Sequence, residues 1–183
     1  MEALKLNEYG FKEYEEISKN DRCELIFGEI YMMASPSYEH QAIVGNLYYM
    51  IKSKIRGKKS KCKAVVAPFD VKLKKGRSEN VVQPDVAIYC NDSMKKEVNN
   101  IPTVVFEVLS PSTAMKDKSE KLKLYEIFGI EEYFLVSPEY KTVEVFRLKN
   151  GKYEYDQAFC LGMKFEVKAI EDEFDVDDVF EDI

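Results

Sequence analysis

Two acids lie in apolar surroundings near the middle of the chain. The run Val82-Gln83-Pro84-Asp85-Val86-Ala87-Ile88-Tyr89 carries Asp85 directly after a proline. A second run, Thr103-Val104-Val105-Phe106-Glu107-Val108-Leu109-Ser110-Pro111-Ser112, carries Glu107 among apolar residues. Both are β-branched and aromatic and are bounded by Pro, Asn and Ser, which predicts two short buried strands. An ionised carboxylate is costly to take from water unless a cation or hydrogen-bond donors compensate it. Two on neighbouring strands fit either a divalent-metal site or strand-end acids that face solvent.

Downstream, Asp117-Lys118-Ser119-Glu120 has the form of a helix start, with Asp117 as N-cap and Glu120 three residues on. The helix then runs through Lys121-Leu122-Lys123-Leu124-Tyr125-Glu126-Ile127-Phe128 and ends at Gly129. Lys121 falls near the first turn, close to where a strand ending near Ser110 delivers the chain. That placement allows a metal, a phosphate and a lysine to meet.

Asp85 after a proline, Glu107-Val108-Leu109-Ser110-Pro111-Ser112-Thr113, Asp117, Lys121, Tyr125, Gly129 and Glu132-Tyr133 together resemble the Uma-two family of restriction-endonuclease-like proteins. That family belongs to the PD-(D/E)XK nuclease superfamily, and the resemblance runs from about Tyr14 to Val145. It implies an α/β (α+β) fold with a restriction-endonuclease-like core, a mixed central β-sheet flanked by helices. It also implies a metal-dependent DNA endonuclease. Asp85 and Glu107 would hold Mg²⁺ or Mn²⁺ with the backbone carbonyl of Val108 and waters, and Lys121 would assist the attacking water or the transition state. The superfamily's usual motif places lysine two positions after the acid, whereas Val108 and Leu109 follow Glu107. The lysine role would therefore pass to Lys121, with Lys118 less well placed. A catalytically inactive member, serving as a nucleic-acid or protein interaction module, is the alternative reading.

Accessory candidates surround these. The family's Tyr-Glu-Leu…Gly-Glu pattern falls at Cys23-Glu24-Leu25…Gly28-Glu29, with Cys23 replacing the usual aromatic, so Glu24 and Glu29 are raised above ordinary strand acids. His40, the single histidine, lies in the first turn of a helix capped by Ser37, where the family also tends to carry histidine. Glu39 beside it is a candidate outer acid. Asp117, four residues before Lys121, either positions that lysine or caps its helix; the cap is the preferred reading.

The elements that must position these groups are legible in outline. Glu8 to Ser18 predicts an amphipathic helix burying Tyr9, Phe11, Tyr14 and Ile17. Cys23–Ile26 and Glu29–Met33 predict a hairpin about Phe27-Gly28. After Ser37, Ile43, Val44, Leu47, Tyr48, Met50, Ile51 and Ile55 follow a helical period. A strand is expected from Lys63 to Leu73, and a polar loop or short helix from Asn91 to Asn100, beside the site and suited to substrate contacts. Further strands are expected at Glu132–Val136, Thr142–Leu148 and Lys152–Tyr155, the last two joined by an Asn150-Gly151 turn.

At 183 residues, 45% hydrophobic and 33% charged, the sequence suits one globular domain over 1–183 with an acidic segment at about 166–183. Four scattered cysteines without a C-x-x-C pair indicate neither zinc nor a disulfide framework, with Cys90 and Cys160 acting as small hydrophobes. Met1–Leu6 lacks a signal-peptide core and no long apolar run is present, so a cytoplasmic protein without a membrane span is expected.

The net charge of −6 argues against an avid non-specific nucleic-acid binder, but it is unevenly spread. Lys52 to Arg77 holds eleven basic residues against Asp70, while Glu166 to Ile183 holds nine acids against Lys168. Lys52, Lys54, Arg56, Lys58, Lys59, Lys74, Lys75 and Arg77 are thus candidates for a phosphate-contacting rim. The acidic end, with Phe174, Val176, Val179 and Phe180, could be a solvated face, a dimer contact or a mask over a basic surface. A homodimer would let two sites address two DNA strands.

Overall fold

The computed structural model describes residues 9–183. The expected helical start at Glu8 and the Met1–Leu6 stretch lie outside the described residues.

Helix α1 (Phe11–Ile17) buries Tyr14, while Phe11 and Ile17 are half-buried and Tyr9 is exposed. Strands β1 (Cys23–Ile26) and β2 (Glu29–Met32) form the expected hairpin. Phe27 and Gly28 both have positive φ, as a two-residue hairpin turn matched to strand twist requires, and Asn80 Oδ1 accepts from Phe27 N at 2.8 Å. Helix α2 (Tyr38–Gly57) starts where Ser37 Oγ accepts from the His40 amide, and it buries Ile43, Val44, Leu47, Ile51 and Ile55.

Both strands expected around the first acid are interrupted by prolines. The Lys63–Leu73 stretch divides into β3 (Lys63–Val66) and β4 (Val71–Lys75) in different sheets, with a cis Ala67-Pro68 bond between them. Similarly, Val82–Tyr89 spans the end of β5 (Ser78–Val82) and all of β6 (Val86–Tyr89). Pro84 has no amide to give a ladder, so the chain crosses between sheets there, and Asp85 sits in the crossover.

The second acid lies in β7 (Val104–Val108). The following helix starts earlier than expected: Thr113 precedes α3 (Ala114–Lys116), residues Asp117–Lys121 form a π-helical turn, and α4 (Leu122–Phe128) ends at left-handed Gly129. Asp117 is therefore interior to the helix rather than its cap. Strands β8 (Glu132–Ser137), β9 (Thr142–Lys149) and β10 (Lys152–Phe159) follow.

A six-stranded sheet has the order β10-β9-β8-β7-β6-β3, with β7 and β8 parallel and the other neighbours antiparallel. An antiparallel sheet of order β2-β1-β5-β4 lies beside it. This is the mixed sheet flanked by helices that the sequence led us to expect. Alternation along β7 decides the site: Val104, Phe106 and Val108 join the cluster that includes α2, whereas Val105 and Leu109 join the one that includes Leu124 and Tyr125. Glu107 shares the latter face, towards α4.

The acidic end is folded into the body. It forms a hairpin of β11 (Lys164–Val167) and β12 (Asp172–Asp175), then the short helix α5 (Val176–Val179). Phe165, Phe174, Val176, Val179 and Phe180 pack in the α2 cluster. Buried Glu132 anchors the segment, accepting from Lys168 N, Ala169 N and Arg147. The phenylalanine and valine positions are thus core, not a solvated face.

The expectation of no disulfide is corrected. Pairing of Lys63 with Tyr89 brings the preceding and following residues opposite each other, and Cys62 and Cys90 are bonded. Cys160 is free and exposed, so it is not a buried hydrophobe. No helix among the described residues is long and apolar enough to cross a membrane.

Candidate functional site

Strand register brings the two central acids together. Val86 pairs with Phe106, so one further step sets Asp85 opposite Glu107. They line a cleft of about 260 Å³ where the two sheets meet. Asp85 Oδ2 accepts from the Val108 amide at 2.8 Å and lies 3.2 Å from His40 Nε2. Glu107 Oε1 accepts from Lys121 Nζ at 2.9 Å and Tyr125 OH at 2.6 Å. Lys121 and Tyr125 are four apart on one helical face, which is how one carboxylate oxygen meets both.

Two more carboxylates converge on Lys121. Fully buried Glu24, on β1, lies 2.9 Å from Lys121 Nζ and accepts from the Gln83 backbone amide at 2.9 Å, both through Oε1, and accepts from Lys116 Nζ at 2.6 Å through Oε2. Asp117 Oδ1 lies 3.4 Å from Lys121 Nζ and is buried without a hydrogen-bond partner among the described residues. Asp117 thus sits beside Lys121, the alternative to the helix cap that was preferred.

Three carboxylates share two ammonium groups, with Asp85 beside them against His40, and the pKa shifts follow from that imbalance. Burial pushes Glu107 up to about 8 from its ordinary 4.5; Lys121 opposes the rise, and Asp117, Asp85 and Glu24 reinforce it. Burial also raises Asp117, against the pull of Lys121. Glu24 goes the other way, because Lys121 and Lys116 together outweigh its burial. Burial acts to lower Lys121, but Glu107, Glu24 and Asp117 hold it well above its ordinary value. Burial likewise acts to lower His40, and its bond to Asp85 outweighs that, for a net rise.

This donor set suits a hard divalent cation. Among the described residues no three His, Cys, Asp or Glu side chains are grouped as a ready-made metal cage. Mg²⁺ asks for less, one or two carboxylates with waters and substrate oxygens completing its shell. Asp85 Oδ1 and Glu107 Oε2 accept nothing from the described residues, and orphaned Asp117 Oδ1 adds uncompensated negative charge nearby. The residues therefore fit Mg²⁺ or Mn²⁺.

The remaining candidates are dispersed. Val108 lines the cleft and its amide fixes Asp85. Glu29 is exposed on the hairpin and accepts from Tyr31 OH. Glu39 is exposed beside a neighbouring groove of about 900 Å³. Lys118 pairs with Glu144 outside the cleft. Lys52, Lys54, Arg56, Lys58 and Lys59 sit at the far end of α2, roughly 18 Å or more along the helix from His40. Of these, Lys54 and Lys58 pair with Asp172, in the acidic segment. Lys74, Lys75 and Arg77 are at the β4–β5 tip, roughly 13–20 Å along the strand from Gln83. Sequence reading missed Lys116, Arg22 and Gln83, which also line the cleft. Lys116 carried a signal in its adjacency to Asp117, but the helix start was placed too late in the chain to show it.

A mixed sheet with one acid just before a strand and a second within the adjacent strand, and a helix-borne lysine behind them, fits a restriction-endonuclease-like fold. The Uma2 family pattern, described as "Putative restriction endonuclease", matches residues 11–177, and the chain belongs to that family. Among its relatives, the uncharacterized protein slr1290 of Synechocystis sp. is 26% identical over 179 residues, spanning 96% of this chain and 92% of that one. Another from the same organism, sll1609, is 28% identical over 154 residues, 81% and 84% of the two chains. A crystal structure from Anabaena variabilis, of "a putative nuclease belonging to DUF820", superposes with a TM-score of 0.71 at 19% identity. That match covers 91% of this chain and 96% of the other, which shows a shared fold.

Proposed function

We propose that the protein is a metal-dependent endonuclease that hydrolyses phosphodiester bonds in DNA. Asp85 and Glu107 would hold Mg²⁺ or Mn²⁺ with the Val108 carbonyl and waters. A divalent ion bound there supplies Lewis acidity and lowers the pKa of a coordinated water. The Val108 amide and His40 both hold Asp85 through Oδ2. Lys121 keeps its proton and sets a positive charge 2.9 Å from Glu107, where it would orient the attacking water or offset charge developing on the phosphate. Glu24 and Asp117 keep that ammonium in place. The observation that carries the reading is the excess of carboxylates in one cleft, Glu24, Asp85, Glu107 and Asp117, a negative charge that a divalent cation would offset. A nuclease role in this family and the shared fold point the same way.

The direct test is nicking of supercoiled plasmid with Mg²⁺, Mn²⁺ or EDTA by wild type, Asp85→Ala and Glu107→Ala. Metal-dependent nicking lost in both variants is expected; nicking unchanged in both would refute the site.

Metal affinity is expected to rise with pH. Glu107 and His40 both have raised folded pKa values, so the metal-free folded state holds protons that the unfolded chain releases. For Glu107 alone, stability without metal should therefore fall as pH rises from about 4.5 to about 8, and level off above that. Mn²⁺ needs the carboxylate ionised, so its stabilising increment in a thermal melt should be larger at pH 8 than at pH 6, with proton release on binding. An increment independent of pH would contradict the assignment of Glu107 as a ligand.

One feature favours the interaction-module alternative: Lys121 is already committed to Glu24 and Glu107, and no lysine follows Glu107 by two. That reading requires salt-sensitive DNA binding with no metal dependence and no nicking.

A further inference from the structure

Among the described residues, Arg22 is the cationic side chain lining the cleft that has no carboxylate partner. Lys116 and Lys121 are both taken by Glu24, Lys121 also by Glu107 and Asp117, and His40 faces Asp85. Arg22 is exposed, and its guanidinium is tethered through one nitrogen. One Nη2–H donates to Gln83 Oε1 at 3.2 Å. Gln83 is buried and in turn donates from Nε2 to Asp70 Oδ1 at 2.9 Å, the oxygen that also accepts from buried Tyr14 OH at 2.9 Å. The Asp70 carbonyl is held by Asn100 Nδ2 at 2.8 Å. At its other end, the Arg22 carbonyl accepts from Met33 N at 2.9 Å, which fixes the backbone two residues before Glu24.

An arginine anchored through one nitrogen keeps its remaining donors for a second partner, already aimed and with little side-chain freedom left to lose. Every other cationic side chain lining the cleft already faces an acid, so among the described residues Arg22 is the one cation there left to meet an incoming anion.

We propose that Arg22, braced by Gln83 and Asp70, forms a phosphate subsite at the cleft that binds the phosphodiester next to the one cleaved. This rests on the nuclease reading and adds a binding role that does not depend on the chemical step.

The test measures binding of a fluorescein-labelled DNA duplex in Ca²⁺ across a salt series for wild type, Arg22→Ala, Arg22→Lys and Gln83→Leu. Loss of one phosphate contact should weaken Arg22→Ala by about tenfold and reduce the slope of log affinity against log salt by about 0.9. Arg22→Lys should keep the wild-type slope and recover part of the affinity. Gln83→Leu should weaken binding several-fold with the slope unchanged, because the charge remains and only its brace is lost. Mn²⁺ titration without DNA should be the same in Arg22→Ala as in wild type. A wild-type salt slope in Arg22→Ala overturns the subsite, and the nuclease reading then stands if nicking persists. A reduced slope in a protein that never nicks supports the subsite and overturns hydrolysis. Wild type that binds no duplex overturns both.

Discussion

Glu107→Gln is expected to raise the melting temperature of the metal-free protein at pH 8.5 while abolishing metal-dependent nicking. Glutamine keeps the shape of the side chain, and its carbonyl can still accept from Lys121 Nζ and Tyr125 OH. It removes a charge that burial and three neighbouring carboxylates oppose strongly enough to move the acid to about 8. Each tenfold change in proton affinity corresponds to about 1.4 kcal/mol, and the rise to about 8 is already net of the attraction to Lys121, so relief above pH 8 should be at least about 1–2 kcal/mol. For a chain of this length that is roughly 3–6 °C, measurable by calorimetry. The gain should shrink as pH falls from about 8 and vanish only near 4.5, where Glu107 is protonated in the unfolded chain as well. Nicking should fall by about 100-fold or more, the scale seen when one electrostatic stabiliser of a transition state is removed. If Glu107 merely secured Lys121, the same change would delete a buried ion-pair partner, and the protein would lose about 3–5 kcal/mol.

Lys121→Met is expected to be the most damaging single change in the cleft. Methionine fills the space of the aliphatic stem but leaves Glu24, Glu107 and Asp117 without the ammonium that lies within 3.4 Å of all three. Uncompensated buried charge of this kind costs about 3–5 kcal/mol. The cost should grow as pH rises from 6 to 8.5, because more of the cluster is then ionised. Saturating Mn²⁺ should restore part of the stability, since it supplies positive charge to the same carboxylates, but not activity. Chemical denaturation at both pH values, with and without Mn²⁺, checks each part. Unchanged stability at pH 8.5 would mean that the cluster does not depend on Lys121.

The distance between what the sequence disclosed and what the fold assembles follows from how local each signal is. Asp85 and Glu107 were legible because an acid inside a short apolar run stands out, and because adjacent strands bring such runs side by side. Lys121 was legible from its place behind a Gly-terminated helix and from the family resemblance. Glu24 was only half legible. Its burial depends on Gln83, 59 residues away, whose amide it accepts, and on Lys116 from a helix later still. Asp117 was misread because a capping pattern resembles a helix start, while the actual start at Ala114 and the π turn put it inside.

The basic run was visible as charge but not as position. A 20-residue helix carries Lys54 and Lys58 away from His40 and delivers them to Asp172. The Cys62–Cys90 bond was invisible for the same reason, since it depends on the pairing of β3 with β6. The acidic end looked solvated because its charges are dense, yet every apolar position singled out there is buried. Charge density reports the outer face of a segment, and only the packing of the other face shows whether it belongs to the core.

Isothermal titration of Mn²⁺ into wild type and into Asp85→Ala/Glu107→Ala tests most directly whether the two acids form one metal site. Each titration is made alone and then with saturating DNA, whose phosphate can complete the coordination shell. Binding by wild type in at least one of these conditions, and by the double variant in neither, is the predicted result. Equal binding by both proteins, or none by wild type even with DNA present, would contradict it.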